Sequence, residues 1–212
     1  MRDPGGRDQI EDSSPATDQW ARWLLRDRFG GSADRRRKTM DFLIPIRDHV
    51  IEAAQIAPGD TVLDVGCGDG LLGFAALDRC GSSGHVIFAD ISSDLLSECE
   101  RLARFARVAD RCSFVRSPLP DLGAVASNSI DVVVFRSVLI YVKDKRAAFH
   151  NMVRVMHAGG RLSSFEPINS FSRQEPAGWL WGFSEGYSPT VLKNSSPRTA
   201  VMVVANVSKG LR

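Results

Sequence analysis

No run of about 18 uninterrupted apolar residues occurs in the chain, so no membrane-spanning helix is expected. Cysteine is scarce: Cys67, Cys80, Cys99 and Cys112 form no C-x-x-C pair and fall on unrelated stretches. That spacing argues against a zinc site or a disulfide framework, predicts no metal, and fits a reducing cytoplasm. Neither sign of charge dominates, and the formal net charge is only +2. Such a balance gives no basis for unspecific attraction to nucleic acid or to a membrane surface. The opening stretch, MRDPGGRDQIEDSSPATDQ, has no apolar core and carries acids, unlike a signal peptide. Internal repeats are missing too.

What is present suits one α/β domain: 212 residues, 43% hydrophobic and 25% charged. Residues 1–16 are polar and rich in Gly, Pro and Asp, and are expected to be disordered. TDQWARWLLRDRF reads as an amphipathic helix capped by Thr17 or Asp18, with Trp20, Trp23, Leu24 and Phe29 gathered near one face. After the Gly30–Gly31 break a second helix runs through MDFLIPIRDHVIEAAQI, which Pro45 either kinks or opens. The basic run DRRRKT at Asp34–Thr39 is read as a solvated linker, with contact to an anionic partner as the lesser alternative. Residues 17–58 are expected to form a helical cap over the core or the substrate mouth.

From Thr61 the pattern alternates. Strand candidates are TVLDVG, HVIFAD, CSFVRS, IDVVVFR and RLSSFEP, separated by the amphipathic stretches LLGFAALDRC, SSDLLSECERLARFA and KDKRAAFHNMVRVM. Short β-branched runs alternating with helices predict a doubly wound, mostly parallel sheet over residues 59–167. Residues 168–212 fit this scheme badly. They hold an aromatic patch, WLWGF, a Ser/Pro/Asn-rich loop and one late strand candidate, TAVMVVANV.

The informative stretch is VLDVGCGDGLLG, Val62–Gly73, an apolar strand running into a glycine turn and then a helix. Glycines there let a ligand press against bare backbone, and the helix N-terminus offers further N–H groups. About 20 residues on, the next strand ends in Asp90, placed to accept hydrogen bonds from two ribose hydroxyls. A dinucleotide and S-adenosylmethionine (SAM) are both served by this. The G-x-G-x-x-G fingerprint begun at Gly66 needs glycine where Leu71 stands, and fits only one step later as Gly68, Gly70 and Gly73. Asp64 lies two residues before the first glycine. A carboxylate repels a pyrophosphate but attracts the ammonium of a methionine moiety. The acid favours SAM over NAD.

At this point the chain resembles the class I SAM-dependent methyltransferases, of the group that methylates small molecules. VLDVGCGDG is similar to the family's first motif and VIFADIS to its acidic strand-two motif. SIDVVVFRSVLIYV is similar to the strand-four motif, and RVMHAGGRL to the turn into strand five. The resemblance covers residues 40 to 167 and implies a Rossmann-like fold with SAM as cofactor and S-adenosyl-L-homocysteine (SAH) as product. It implies that Asp64, Gly66, Cys67 and Gly68 hold the methionine end, Asp90 the ribose, and Ile91 the adenine flank. Ser117, Pro118 and Leu119 replace the family's usual Gly-Asp-Ala, so the acid for the adenine amino group is missing and Ser117 or the Leu119 backbone would substitute. Arg136 would sit under the sulfur and beside the acceptor.

Transfer from a sulfonium is an in-line displacement, and a base is needed only for a weakly nucleophilic acceptor. None of the four histidines is expected at a carboxyl end of a strand. Glu166 and Tyr141 are the polar catalytic candidates, with loop anchoring and core packing as their respective alternatives; Ser170 lies further out. Trp20, Trp23, Trp179 and Trp181 either line an apolar pocket or pack the cap onto the core. Asp131 opens its strand and is read as structural, and Gly159–Gly160 as a turn.

The expected acceptor is a small metabolite or natural product. No appended domain or Asn-Pro-Pro-Tyr-like motif points to nucleic acid, and no cysteine follows Cys112, which disfavours arsenite. The family continues past strand five with a long helix and an antiparallel strand pair, for which the tail is short. A reduced sheet, a rearranged C-terminal part, or one completed by a homo- or hetero-oligomeric partner are the readings. A SAM-binding accessory protein with little activity of its own is therefore the alternative to an enzyme.

Overall fold

The computed structural model describes residues 18–28, 32–167 and 200–206. Helix α1 spans Gln19–Arg22 and runs on as a π-helical turn, Trp23–Asp27; α2 spans Ala33–Ala53. Strand β1 (Thr61–Val65), α3 (Leu71–Cys80), β2 (His85–Asp90), α4 (Ser93–Phe105) and β3 (Cys112–Arg116) follow. Then come β4 (Ile130–Arg136), α5 (Lys145–Val155), β5 (Met156–Pro167) and β6 (Ala200–Asn206). The sheet order is β3-β2-β1-β4-β5-β6. The first five strands are parallel, and β6 pairs antiparallel with β5. This is the expected doubly wound α/β sheet, closed on one edge by the late strand of the tail. The expectations for residues 1–16 and for most of 168–212, including Ser170, Trp179 and Trp181, lie outside the described residues.

Strands buried on both faces alternate between two cores. Leu63, Val65, Val133 and Phe135 point to the side packed by Met152 and Val155 of α5. Val62, Val86, Phe88, Val132 and Val134 face α2, α3 and α4 on the other side. Asp64 falls on this second face by the same alternation. Phe88 centres an aromatic row, with Phe74 at 5.0 Å and Phe114 at 5.3 Å between ring centroids. Gly73 of α3 rests directly on Phe88, and any Cβ there would overlap the ring. The glycine that offered a second dinucleotide register is thus accounted for by helix-to-sheet packing.

The edge of the sheet away from the glycine turn is stitched by polar contacts far apart in sequence. Asp131 accepts from the Thr61 N–H at 2.8 Å, the structural role expected of it. Arg161 bonds the carbonyl of Ala54 at 3.2 Å and pairs with Asp60, and Ser163 donates to the Val50 carbonyl at 2.9 Å. These contacts fasten α2 to β5.

Two local expectations are corrected. Asp34–Thr39 is no linker but the opening of α2: Ser32 caps it by accepting from the Arg35 N–H, and Asp34 pairs with Arg37. Pro45 accordingly sits inside α2 rather than at its start. The glycines at 159 and 160 make no separate turn. Gly159, at φ +89°, lies within β5 where its register against β4 shifts between Ile130 and Val132. No helix among the described residues is long and apolar enough to cross a membrane.

Candidate functional site

A cavity of about 510 Å³ lies beyond the carboxyl ends of β1, β2 and β4. Its floor is the glycine turn. The N–H groups of Gly66 and Cys67 both bond the Ala89 carbonyl, at 2.7 and 3.0 Å, which pins the turn to the end of β2. Gly66 takes φ +64°, and a Cβ there would sit 2.5 Å from the Val138 side chain. Gly68, at φ +56°, faces the cavity with only Leu24 nearby, at 3.4 Å from a would-be Cβ. Both positions demand glycine, one because it is crowded and both because of their backbone.

Two acids flank the turn. Asp64 is buried, and its Oδ2 accepts from the Gly73 N–H at 2.8 Å. Burial pushes its pKa up from 3.8 to about 7, against the lowering effect of that hydrogen bond. Asp90 accepts from the Gly68 N–H through Oδ2 and from the Ser92 N–H through Oδ1, each at 2.9 Å. A carboxylate has about four lone-pair sites, so Asp90 keeps capacity for further donors. Cys67 and Cys99 are neighbours under the turn, and Cys99 Sγ reaches the Gly68 carbonyl at 3.4 Å. Their mutual hydrogen bond and burial push the Cys67 thiol well up, which makes it a compact filler rather than a nucleophile.

Beyond β2 and β3 the wall is formed by Ile91, half exposed at 52%, with Ser117 and Leu119. Ser117 is tied down by its hydroxyl to the Asp121 carbonyl at 3.1 Å and by its N–H to the Asp90 carbonyl. Of the cofactor residues expected from sequence, Pro118 alone is off the wall.

Opposite stands the loop after β4. Arg136 closes the strand on the wall, and Ser137 follows at φ +56°, a conformation non-glycine residues avoid. The loop is held from beneath by Glu166, whose Oε1 accepts from the N–H groups of Val138 and Leu139 at 2.7 and 3.1 Å. Burial pushes the Glu166 pKa up, against those two N–H groups. Among the described residues Glu166 Oε2 has no hydrogen-bond partner. Glu166 is therefore under the wall and not on it, while Tyr141 is on it and 62% exposed. Among the described residues no histidine reaches the cavity; His85 bonds Ser113 at 2.8 Å, and His49 is exposed on α2.

The roof is α1 with its π-turn. Trp20, Trp23, Leu24 and Arg28 all face inward to the cavity. Trp20 meets Tyr141 edge-on at 4.7 Å, and Arg28 bonds Asp69 at 3.5 Å. Asp18 caps α1 through the Ala21 N–H, accepts from the Ser92 hydroxyl, and donates its own N–H to Asp94 at 2.8 Å. Ser92 therefore joins the roof to Asp90. Asp18 was one of two cap candidates in the sequence, with Thr17; its reach to Ser92, and the inward turn of Arg28, carried no local signal.

A family profile described as "Methyltransferase domain" matches residues 56–177. Arsenite methyltransferase of Halobacterium salinarum is 34% identical over 118 residues, 55% of this chain and 29% of that protein. The ubiquinone/menaquinone biosynthesis C-methyltransferase of Xanthomonas campestris is 33% identical over 123 residues, 56% of this chain and 46% of its own length. The matched stretch thus spans less than half of either curated relative. In fold, the chain is similar to a SAM-dependent methyltransferase from Aquifex aeolicus (TM-score 0.60, 16% identity, 76% of this chain and 89% of that one). It is also similar to a geranyl diphosphate C-methyltransferase from Streptomyces coelicolor, solved with Mg²⁺, geranyl diphosphate and SAH. There the TM-score is 0.66 at 16% identity, over 86% of this chain and 88% of that one.

Proposed function

The chain belongs to the methyltransferase-domain family, and on that premise we propose that it transfers a methyl group from SAM, in line, to a small-molecule acceptor. The observation that carries this reading is the convergence of Asp64, the bare backbone of Gly66–Gly68, and Asp90 on one cavity. When bound, SAM supplies a sulfonium whose methyl group is already activated for displacement. The chain's residues suit it. Asp64 would face the ammonium, where a nearby cation favours its ionised form. Asp90, with lone pairs to spare, would accept from the ribose hydroxyls. Ile91 and Leu119 would offer apolar contact to the adenine, and the Ser117 hydroxyl a polar one. A side chain at position 68 would fill the cradle beneath Leu24.

The roof would exclude water and orient the acceptor, and orientation in a desolvated pocket supplies much of the rate for an activated donor. Tyr141, exposed on the wall, would offer a hydroxyl for a proton. Glu166 would act by holding the Val138–Leu139 backbone rather than by taking a proton itself. The relatives are named for arsenite, quinone biosynthesis and geranyl diphosphate, which is small-molecule chemistry throughout. Cys67 is the one thiol on the cavity wall among the described residues, which argues against a metalloid acceptor here.

A second reading rests on the unmatched length of the curated relatives: a SAM-binding subunit without turnover. One experiment separates the two. The full chain is incubated with methyl-labelled SAM and a panel of phenolic, quinol, amine and isoprenoid acceptors. Label in any acceptor supports the enzyme. Binding of SAH without transfer to any acceptor supports the subunit, and no binding refutes both.

A further inference from the structure

Arg136 is half-buried on the cavity wall, and among the described residues its guanidinium donates one long hydrogen bond, to Ser137 Oγ at 3.3 Å. Among the described residues no carboxylate lies within ion-pair distance of it. Arg28 of the roof is near enough to act on it as a second positive charge, while itself pairing with Asp69 and lying over the Trp23 ring at 5.8 Å. Burial and Arg28 both pull the Arg136 pKa down, with Asp69, Asp64 and Glu166 opposing. A guanidinium offers five donors in a fixed fork, so on this cavity wall most of them have no acceptor among the described residues. Partly desolvated cations in such a setting favour an anion.

The sheet order says which molecule carries that anion. Asp90 and Ile91, at the end of β2, lie on one side of the glycine turn, and Arg136, at the end of β4, lies on the other. With the nucleoside on the β2 side, the acceptor approaches the reacting carbon from the β4 side. There Ile140 and Tyr141 meet Trp20 and Trp23 of the roof in an apolar wall. Resting on the methyltransferase reading above, we propose that Arg136, assisted by Arg28, binds a carboxylate of the acceptor, whose aromatic or alicyclic body lies against Trp20, Trp23 and Tyr141. A singly charged carboxylate matches the site better than a phosphate, because Asp69 already engages the second arginine.

The test is calorimetric titration of the full chain, saturated with SAH, with 1-naphthoate and with its neutral counterpart 1-naphthamide. The acid binds about tenfold more tightly than the amide. Arg136→Gln abolishes that preference and Arg136→Lys restores part of it. SAH carries a carboxylate of its own, so its affinity is compared with that of 5′-methylthioadenosine, which lacks the amino-acid tail. The ratio of the two is the same in wild type and Arg136→Gln. A ratio that collapses in Arg136→Gln assigns the arginine to the cofactor and overturns the proposal. Equal binding of acid and amide to the wild type overturns it without recourse to any variant. Failure of the wild type to bind SAH refutes the methyltransferase reading itself, and the proposal with it.

Discussion

Asp64→Asn separates the fold's interest in position 64 from the ligand's. In the folded chain burial lifts the Asp64 pKa from 3.8 to about 7. A raised acid holds a proton that the unfolded chain releases, so its contribution to stability is greatest below pH 4 and declines as pH rises to about 7. At about 1.4 kcal/mol per pH unit the decline approaches ~4 kcal/mol over that window. Asparagine keeps a carbonyl oxygen for the Gly73 N–H but does not titrate. Its fixed offset from wild type depends on how the amide N–H₂ is satisfied, so the informative quantity is the change with pH. Urea unfolding from pH 4.5 to 8 should show Asp64→Asn gaining on wild type as pH rises, then running parallel above pH 7. Ligand binding should go the other way. An ammonium near Asp64 favours the ionised form, so wild-type affinity for SAH strengthens toward pH 7 and levels off, whereas the variant binds weakly at every pH. Stability curves that stay parallel throughout would refute the burial argument. An Asp64→Asn chain that binds SAH as tightly as wild type at pH 8 would refute the pairing with the ammonium.

Asp90→Ala should weaken SAH binding by about 1–3 kcal/mol in calorimetry, and Asp90→Asn by less, since one acceptor remains for the Gly68 or Ser92 N–H; equal losses would mean that the charge carries the whole interaction and the remaining acceptor none of it. Glu166→Ala leaves the Val138 and Leu139 N–H groups without their acceptor, at about 1–3 kcal/mol of stability for each, seen in thermal unfolding, while Glu166→Gln should retain most of it. Asp18→Ala removes a helix cap worth about 1 kcal/mol together with the tie to Ser92. SAH should then leave several-fold faster in stopped-flow measurements, and an unchanged dissociation rate would mean that the roof does not gate the cavity.

The parallel core was legible because its strands are short β-branched runs buried on both faces, bounded by capped helices: Ser92 ahead of α4 and Asp144 ahead of α5 each accept from a backbone N–H three residues on. The start of α2 was not. Arg35–Lys38 contain no apolar residue, so hydrophobic periodicity is silent there, although arginine and lysine are good helix formers and Ser32 is a ready cap. The bulge in β5 was hidden by a Gly-Gly pair, which signals a turn and a bulge alike. In the site, the glycine turn, Asp64 and Asp90 were readable from spacing, because β1, the turn and β2 follow one another in the chain, whereas Ile91, Ser117, Leu119 and Arg136 came only from the family resemblance. For Glu166 the sequence left a catalytic role and loop anchoring both open, as a residue's distance along a strand does not say which loop lies above it. Arg28 and Ser92 were beyond reach, since their roles exist only once α1 folds across the sheet.

That roof has a kinetic consequence. Trp20 and Trp23 would select the acceptor, while Asp18 and Arg28, on the same short segment, bind it to Ser92 beside the nucleoside acid and to Asp69 of the glycine turn. On the proposed reading, choice of substrate and release of spent cofactor would be written into one helix. Selection for a new acceptor, acting on those tryptophans, would alter turnover in the same step, and substitutions that restore the rate should collect at the fastenings rather than in the floor.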